Sequence, residues 1–249
     1  MSQLLFTLIG KPLENKQTIK SLKNIHKGKR CFIIGNGPSL TSDDLEMLAK
    51  NNDISFAANS INLIFPRTSW RPTYYSVIDE GLQRTLIDVA SNIPAKYKFF
   101  RQSSYLFTRN VKGKCLYLNA DGNRKHLENP HFSYDLSSIT YTLATVTYVS
   151  IQLAVYMGCE EIYFLGVDNN YMLDKQKDGT VRVNKELKSS YFSGISEKVS
   201  KACSGAKWEM DIAYEAAKRF TEEHGVKIYN ATRGGRLETF TSVDFDKLF

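Results

Sequence analysis

The chain has 249 residues, of which 42% are hydrophobic and 12% aromatic, enough to bury the core of one large α/β domain. No run of about 18 apolar residues occurs, and the N-terminus lacks the features of a signal peptide, so we expect neither a membrane span nor a cleaved leader. The formal charge is +7. The four cysteines show no CxxC spacing, so we expect a cytoplasmic protein with reduced thiols and no metal site.

The positive charge is concentrated near the start of the chain. Residues 1–30 contain seven Lys/Arg and one acidic residue, which gives +6 of the total +7. Ile19, Leu22 and Ile25 lie at helical spacing among lysines. This pattern predicts a basic helical extension over residues 1–28, which either packs on the domain as a solvated helix or rests on the inner face of an anionic membrane. Nucleic-acid binding is not expected, because no recognition motif is present.

The remaining residues, 29–249, alternate between buried strands and amphipathic helices. The predicted strands are 31–35, 54–59, 73–79, 161–168 and 226–232, with two more in the stretches KYKFF and CLYLN. The predicted helices are TSDDLEMLAK (capped by Thr41 or Ser42), SSITYTLATVTYVSIQLAVYMG and WEMDIAYEAAKRFTEEHG. This order predicts a single Rossmann-like α/β domain with a mainly parallel twisted sheet and helices on both faces.

One long polar stretch, residues 169–207, interrupts the alternation. It has no clear periodicity, which is typical of a functional lid or of a disordered insert. Tyr171, Tyr191 and Phe192 lie within it and could close over a ligand, so we favour the lid.

Polar residues collect where the predicted strands end. The five strand ends are Gly35-Asn36-Gly37-Pro38-Ser39, Asn59-Ser60, Asp79-Glu80, Gly166-Val167-Asp168-Asn169 and Asn230-Ala231-Thr232-Arg233-Gly234-Gly235. Such residues also favour ordinary turns, but the carboxyl ends of parallel strands are where α/β sheets bind ligands. Together they predict a binding site at this edge.

The first of these strand ends carries the glycine loop GNGPSL. It is neither GxGxxG nor a Walker A loop, so a usual dinucleotide fold and a P-loop kinase are not indicated. Gly35 and Gly37 would let backbone amides approach a phosphate, helped by the helix that starts near Ser42. Asn36 offers a donor and an acceptor to a ribose, base or phosphate, or is a simple turn residue.

Other ends offer charged groups. Asp79 and Asp168 could bind a ribose or a metal, or act as a base, although no DxD pair occurs. Arg233 could hold a phosphate, or form a surface salt bridge. His126 and His131 lie in a polar loop and are either a base or solvated side chains.

Three stretches, FIIGNGPSL, TVTYVSIQLAVYMGCEEIYFLGVD and KIYNATRGGRLETF, resemble one bacterial family over about residues 27–240. That family unites motility accessory factor proteins with the 6-hydroxymethylpterin diphosphokinase-like (MptE-like) domain. The chain is also similar to the bacterial sialyltransferases of glycosyltransferase family 42, which share the GNGPSL loop and bind a CMP-sugar on a Rossmann-like fold without a metal.

The resemblance implies roles for matched positions. Asn36 and Ser39 would contact the nucleotide or phosphate, and Asn59 the sugar or nucleotide. Asp79 occupies the corresponding third strand end, and Thr145 falls at a Thr-Ser pair near the CMP. The sialyltransferase base is a lid histidine, which this chain lacks in SKACSGAKWEMD.

The sequence therefore predicts a glycosyltransferase-like, metal-independent enzyme. It would use a nucleotide-sugar donor, plausibly CMP-linked, and a glycan or lipid-linked acceptor in surface polysaccharide or glycoconjugate assembly, with no separate cofactor. Asp168 or Asp79 is the candidate base, and lid residue Tyr171 would contact the leaving phosphate. The alternatives are a pterin or nucleotide diphosphokinase that uses ATP and Mg²⁺, with both aspartates as metal ligands, and a non-catalytic nucleotide-sugar binding module.

Overall fold

A computed structural model describes residues 2–171, 173–185 and 206–249. Twelve strands are described, and in chain order they are β1 Lys29–Ile34, β2 Ile54–Ala58, β3 Tyr74–Ser76, β4 Tyr97–Arg101, β5 Cys115–Leu118, β6 Ala120–Asp121, β7 Thr140–Tyr141, β8 Cys159–Leu165, β9 Leu173–Lys175, β10 Val181–Val183, β11 Lys227–Asn230 and β12 Thr241–Ser242. The described α-helices are α1 Ser2–Ile9, α2 Pro12–Ser21, α3 Ser42–Asn51, α4 Glu80–Thr85, α5 Ile87–Asn92, α6 Tyr105–Thr108, α7 Val146–Tyr156 and α8 Lys207–Glu223. The predicted α/β architecture is confirmed.

Eight of these strands form one parallel sheet in the order β12-β11-β8-β1-β2-β3-β4-β5. The chain builds outward from β1 through β5, then returns to the other side of β1 with β8. The strand order therefore reverses between β1 and β8. In open parallel sheets, the crevice outside the carboxyl ends of the strands at such a reversal is where ligands bind.

Both faces of the sheet are covered by apolar packing, which explains why its strands read as continuous apolar runs. In β1, Cys31 and Ile33 contribute to one buried cluster with residues of α7 and α8, whereas Phe32 and Ile34 contribute to a second cluster with residues of α3. Alternate side chains of one strand thus enter opposite cores, as the two-residue period of a strand requires.

The basic N-terminal segment packs on this sheet through a few side chains. Phe6 of α1 and Ile19 of α2 are buried, and the Asn15 side chain bonds with the backbone of Tyr117 in β5 at 2.8 and 2.9 Å. Ile25, predicted on the same face as Ile19, is 40% exposed. The segment therefore lies against the domain, and its membrane contact stays a prediction.

The helix predicted over SSITYTLATVTYVSIQLAVYMG is correct only in its second half. Helix α7 begins at Val146, because Thr145 adopts an extended conformation and its side chain accepts a hydrogen bond from the N–H of Thr147. The first half instead contains β7, which pairs with β6, and Leu143 precedes the helix. A cap and a short strand override the apolar pattern here.

Part of the predicted lid over 169–207 is an antiparallel hairpin, in which Val181 pairs with Lys175 and Val183 with Leu173. Tyr191 and Phe192 lie outside the described residues. Among the residues that are described, no helix is both long and apolar enough to cross a bilayer.

Candidate functional site

A cavity of about 440 Å³ opens at the carboxyl edge of the parallel sheet, beside the reversal between β1 and β8. It extends across β2 and β3 to the end of β4, three strand spacings or about 14 Å from β1. Eight of the ten predicted site residues line it, namely Gly35, Asn36, Gly37, Asn59, Asp79, Thr145, Asp168 and Tyr171. Four of the five predicted strand ends therefore line one cavity, all but residues 230–235, and the roles assigned to their residues stay predictions.

The glycines of the first loop are needed for contact between two strand ends. The Gly35 N–H donates to the Leu165 carbonyl at 2.7 Å, and the Gly37 N–H donates to the Gly166 carbonyl at 2.8 Å. A Cβ atom on Gly37 would lie 1.7 Å from Oδ2 of Asp168. The N–H groups of Gly35 and Gly37, which were predicted to approach a phosphate, therefore already donate hydrogen bonds within the fold. The glycines allow the loop to lie close to the end of β8.

Asp168 is held at the end of β8 by Ser39, which is not among the described cavity-lining residues. The Ser39 hydroxyl donates to Oδ2 of Asp168 at 2.8 Å, and the Ser39 backbone also hydrogen-bonds the carboxylate. Burial raises the pKa of Asp168 above its ordinary value, and the Ser39 bonds only partly oppose this effect. A carboxylate with a raised pKa is a better proton acceptor near neutral pH, so its environment suits a general base.

Three asparagines, Asn36, Asn59 and Asn169, line the same cavity. The Asn36 side-chain amide donates to the Ala58 carbonyl at 3.1 Å, and that of Asn169 donates to Asp211 at 3.1 Å. The Oδ1 atoms of Asn36, Asn59 and Asn169 are buried and accept no hydrogen bond from the described part of the chain. Because a buried acceptor without a donor is costly, these oxygens would gain partners if the asparagine side chains turned toward hydroxyl or amino groups of a ligand.

The N-terminus of α7 also faces the cavity through Thr145, Val146 and Thr147. The hydroxyl of Tyr214, a fully buried residue of α8, hydrogen-bonds the side chains of Thr147 and Thr145. Helix N-termini favour anionic groups because their first N–H groups have no partner within the helix. Thr145, predicted to lie near a nucleotide, therefore caps a helix end that can face a phosphate.

The other predicted charged residues have structural partners. The exposed Asp79 lines the cavity, and its carboxylate accepts the Leu82 N–H at 2.8 Å as the cap of α4. Arg233 is absent from the described lining residues, and its guanidinium pairs with Asp44 at 2.9 Å and with Asp246 at 2.5 Å. Arg233 therefore forms the salt bridge that was its alternative interpretation, and its phosphate contact has no support from position.

Three charged residues of the cavity were missed from the sequence, namely Arg101, Arg124 and Glu209. Arg101 ends β4, so applying the strand-end rule to the stretch KYKFF would have found it. Arg124 pairs with Glu209, which lies in the first turn of α8, and no sequence signal joins two residues so far apart. Within the described residues, no group of three or more His, Cys, Asp or Glu side chains is placed to hold a metal.

The comparison with protein families gives one match. The model described as "6-hydroxymethylpterin diphosphokinase MptE-like" matches residues 9–173, which include the glycine loop, Asp79, Thr145 and Asp168. No curated protein matches the chain.

The chain was also compared with solved structures, and several match it. The chain superposes on the MAf glycosyltransferase from Magnetospirillum magneticum AMB-1 with a TM-score of 0.57 and 17% identity, covering 96% of this chain and 39% of that one. It therefore spans about two fifths of that protein, and the likeness concerns the fold alone. The UDP-glucose 4-epimerase from Thermotoga maritima, solved with UDP-glucose, superposes with a TM-score of only 0.28 at 11% identity over 81% of this chain and 54% of that one.

Proposed function

We propose that this chain, which belongs to the 6-hydroxymethylpterin diphosphokinase MptE-like family, is a glycosyltransferase that takes its sugar from a nucleotide-sugar donor. A transferase-like enzyme is what the family and the fold support. The proposal has three further parts. The donor is CMP-linked, the acceptor is a glycan or lipid-linked group in surface polysaccharide assembly, and the reaction needs no metal.

One observation carries the proposal, namely the composition of the cavity at the β1–β8 reversal. Its volume of about 440 Å³ lies within the range of sites for small molecules and cofactors. It combines asparagine side chains, a half-buried carboxylate and a helix N-terminus. These groups match the hydroxyls, the reacting hydroxyl proton and the phosphate of a nucleotide-sugar and its acceptor.

The chemistry is displacement at the anomeric carbon. An acceptor hydroxyl oxygen forms a bond to that carbon, while the bond from the carbon to the phosphate oxygen breaks and its electron pair leaves with the nucleotide. The hydroxyl proton passes to the carboxylate of Asp168, or to that of Asp79 in the other assignment. The N-terminus of α7, capped by Thr145, and the guanidinium of Arg101 stabilise the charge on the leaving phosphate.

Thermal unfolding with added nucleotides tests the donor site. A ligand that binds only the folded chain raises the melting temperature, by mass action. We expect CMP to raise it with or without Mg²⁺, and CDP, UDP, GDP and ATP to raise it less. Asn36→Ala should abolish the shift. Asn62→Ala is the control, because the Asn62 Oδ1 is likewise buried without a partner but lies outside this cavity. An equal shift in both variants would contradict the proposed site.

A second function, phosphoryl transfer from ATP to a pterin or nucleotide, is favoured by the description of the family itself. Mg²⁺ prefers carboxylate oxygens. The cavity offers Asp168 and Asp79, but each already accepts a hydrogen bond within the fold. A shift with ATP that requires Mg²⁺ would favour this function. A shift with CMP-sugars but no turnover would favour a binding module.

A further inference from the structure

The first two helices carry large apolar side chains that face solvent. Leu4 is 64% exposed, Leu8 70%, Ile9 54% and Leu13 72%, all within ten residues. Leu106 of α6 is 36% exposed and adjoins them, since its N–H donates to the Ser2 hydroxyl at 2.8 Å. These five residues, Leu4, Leu8, Ile9, Leu13 and Leu106, are here named the apolar surface.

The exposure follows from how α1 is seated. Phe6 enters the core, with its ring 5.4 Å from the rings of both Tyr105 and Tyr117. That contact fixes the rotation of the helix, so Leu4 and Leu8, which are one turn apart, share the outward face. A cluster of large apolar side chains on an outer surface is uncommon unless it contacts a partner or a membrane.

The surroundings of the apolar surface are cationic. Residues 1–30 contain seven Lys/Arg and one acidic residue, Glu14, which pairs with Lys11 at 3.0 Å. The other lysines of the segment are solvent-exposed, and they are Lys16, Lys20, Lys23, Lys27 and Lys29. A second copy of this chain would bring the same positive charge against itself, whereas an anionic surface would be attracted.

We infer that the apolar surface docks on an anionic lipid bilayer. Leu4, Leu8 and Leu13 enter the boundary between headgroups and acyl chains, and the lysines of α2 approach lipid phosphates. Apolar burial and attraction between lysines and anionic lipid act together in interfacial helices of this kind. The short apolar contact implies reversible binding. This inference is independent of the reaction in the cavity, but it would keep the chain close to a lipid-linked acceptor.

Co-sedimentation with vesicles tests the inference. One vesicle is pure phosphatidylcholine, and the other is an equal mixture of phosphatidylcholine and phosphatidylglycerol. We expect binding to the anionic vesicle and at least about tenfold weaker binding to the neutral one, because each lysine near an anionic surface contributes about fivefold.

Two variants separate the apolar and the electrostatic parts. Leu4→Ser combined with Leu8→Ser should weaken binding about tenfold or more, because the apolar groups that enter the bilayer are lost. Lys16→Glu combined with Lys20→Glu should weaken it by about 25-fold or more, since each lost lysine contributes about fivefold, and only on the anionic vesicle. Met47→Ser and Lys50→Glu, two exposed positions of α3, are the matched controls and should bind as the parent chain does.

Several results would overturn the inference. They are equal binding to both vesicles, no binding to the anionic vesicle, and unchanged binding when Leu4 and Leu8 are replaced. Light scattering adds one more outcome. A dimer that the serine variant converts to a monomer, without vesicle binding by the parent chain, would make the apolar surface a contact between two copies. Unchanged melting temperatures of the variants, expected because these side chains are exposed, show that each result concerns a folded chain.

Discussion

Replacing Asp168 by asparagine should stabilise the fold while removing the proposed base. The asparagine oxygen can occupy the position of Oδ2 and accept the Ser39 hydroxyl bond, which is 2.8 Å long in the parent chain. The substitution adds no volume that the adjoining Gly37 would have to accommodate. The change is therefore mainly the loss of a half-buried negative charge.

The sign of the effect follows from the pKa of Asp168, which burial raises above the ordinary value. A raised pKa means that the folded chain holds the proton more tightly than the unfolded chain. The ionised carboxylate therefore costs stability, about 1.4 kcal/mol for each unit of the shift. A hydrogen bond from Ser39 to an asparagine oxygen is weaker than one to a carboxylate by roughly 1 kcal/mol. The raised pKa shows that the cost of desolvating the Asp168 carboxylate is larger than this gain. We expect Asp168→Asn to be more stable than the parent chain near neutral pH, by an amount that measures the rise in the pKa of Asp168.

Urea unfolding of both chains from about pH 4 to about pH 8 measures this effect. The advantage of Asp168→Asn should be smallest at the acid end, where the parent carboxyl is mainly protonated in the folded chain and only partly ionised in the unfolded chain. It should then grow as pH rises through the raised pKa of Asp168. Asp79→Asn is the control, because Asp79 is an exposed helix cap and asparagine caps equally well. The difference in stability between Asp168→Asn and the parent chain could instead be independent of pH, or shrink as pH rises. Either result would show that burial of the Asp168 charge does not lower the stability of the parent chain.

Three other substitutions, two at the site and one elsewhere in the sheet, test the packing by urea unfolding. Gly37→Ala should lose about 1–3 kcal/mol and all nucleotide binding, because its Cβ would collide with Asp168, and a parent-like chain would contradict the contact. Lys98→Met should cost about 2–4 kcal/mol of unfolding free energy. The buried Lys98 ammonium donates to the Ala90 carbonyl at 2.5 Å and to the Lys112 carbonyl at 2.7 Å, and methionine leaves both carbonyls without a donor. Unchanged stability would mean that water replaces the ammonium as the donor. Thr145→Ala should cost about 1 kcal/mol as a lost cap and weaken CMP binding, whereas serine should restore both.

Much of the fold follows from local patterns in the sequence. The stretch CFII reads as buried on both faces, and Cys31 to Ile34 are indeed all buried in a central strand. Thr41, followed by acidic residues, reads as a helix start, and its hydroxyl accepts the Asp44 N–H at 3.1 Å. The strand is determined by burial of its apolar side chains, and the helix start by a hydrogen bond between near neighbours in sequence. Periodicity and capping rules are therefore enough to predict both.

The site was less predictable, because its details depend on contacts between distant residues. Gly37 suggested a close approach of backbone to ligand, but the group that requires the glycine is the Asp168 carboxylate. Arg233 suggested a phosphate ligand, but Asp44 and Asp246 engage its guanidinium. A glycine or an arginine in a loop indicates that another group lies close to it. Which group does so is decided by the packing of strands and loops that are far apart in sequence.

The local costs around the cavity support a functional reading of this edge of the sheet. Asn59, Ala144 and Asn169 have positive φ angles of 55°, 47° and 50°, a conformation that side chains rarely adopt. All three line the cavity. Beside them, the Asn36 oxygen is buried without a hydrogen-bond partner, and burial disfavours the ionised form of Asp168. Strained backbone, unpaired acceptors and a half-buried charge each lower stability, and a simple turn requires neither the unpaired acceptors nor the charge. Their concentration around one concave surface is explained if the asparagine side chains turn toward a bound ligand that supplies the missing hydrogen bonds. The same groups should therefore become less costly, and the fold more stable, when a nucleotide-sugar occupies the cavity.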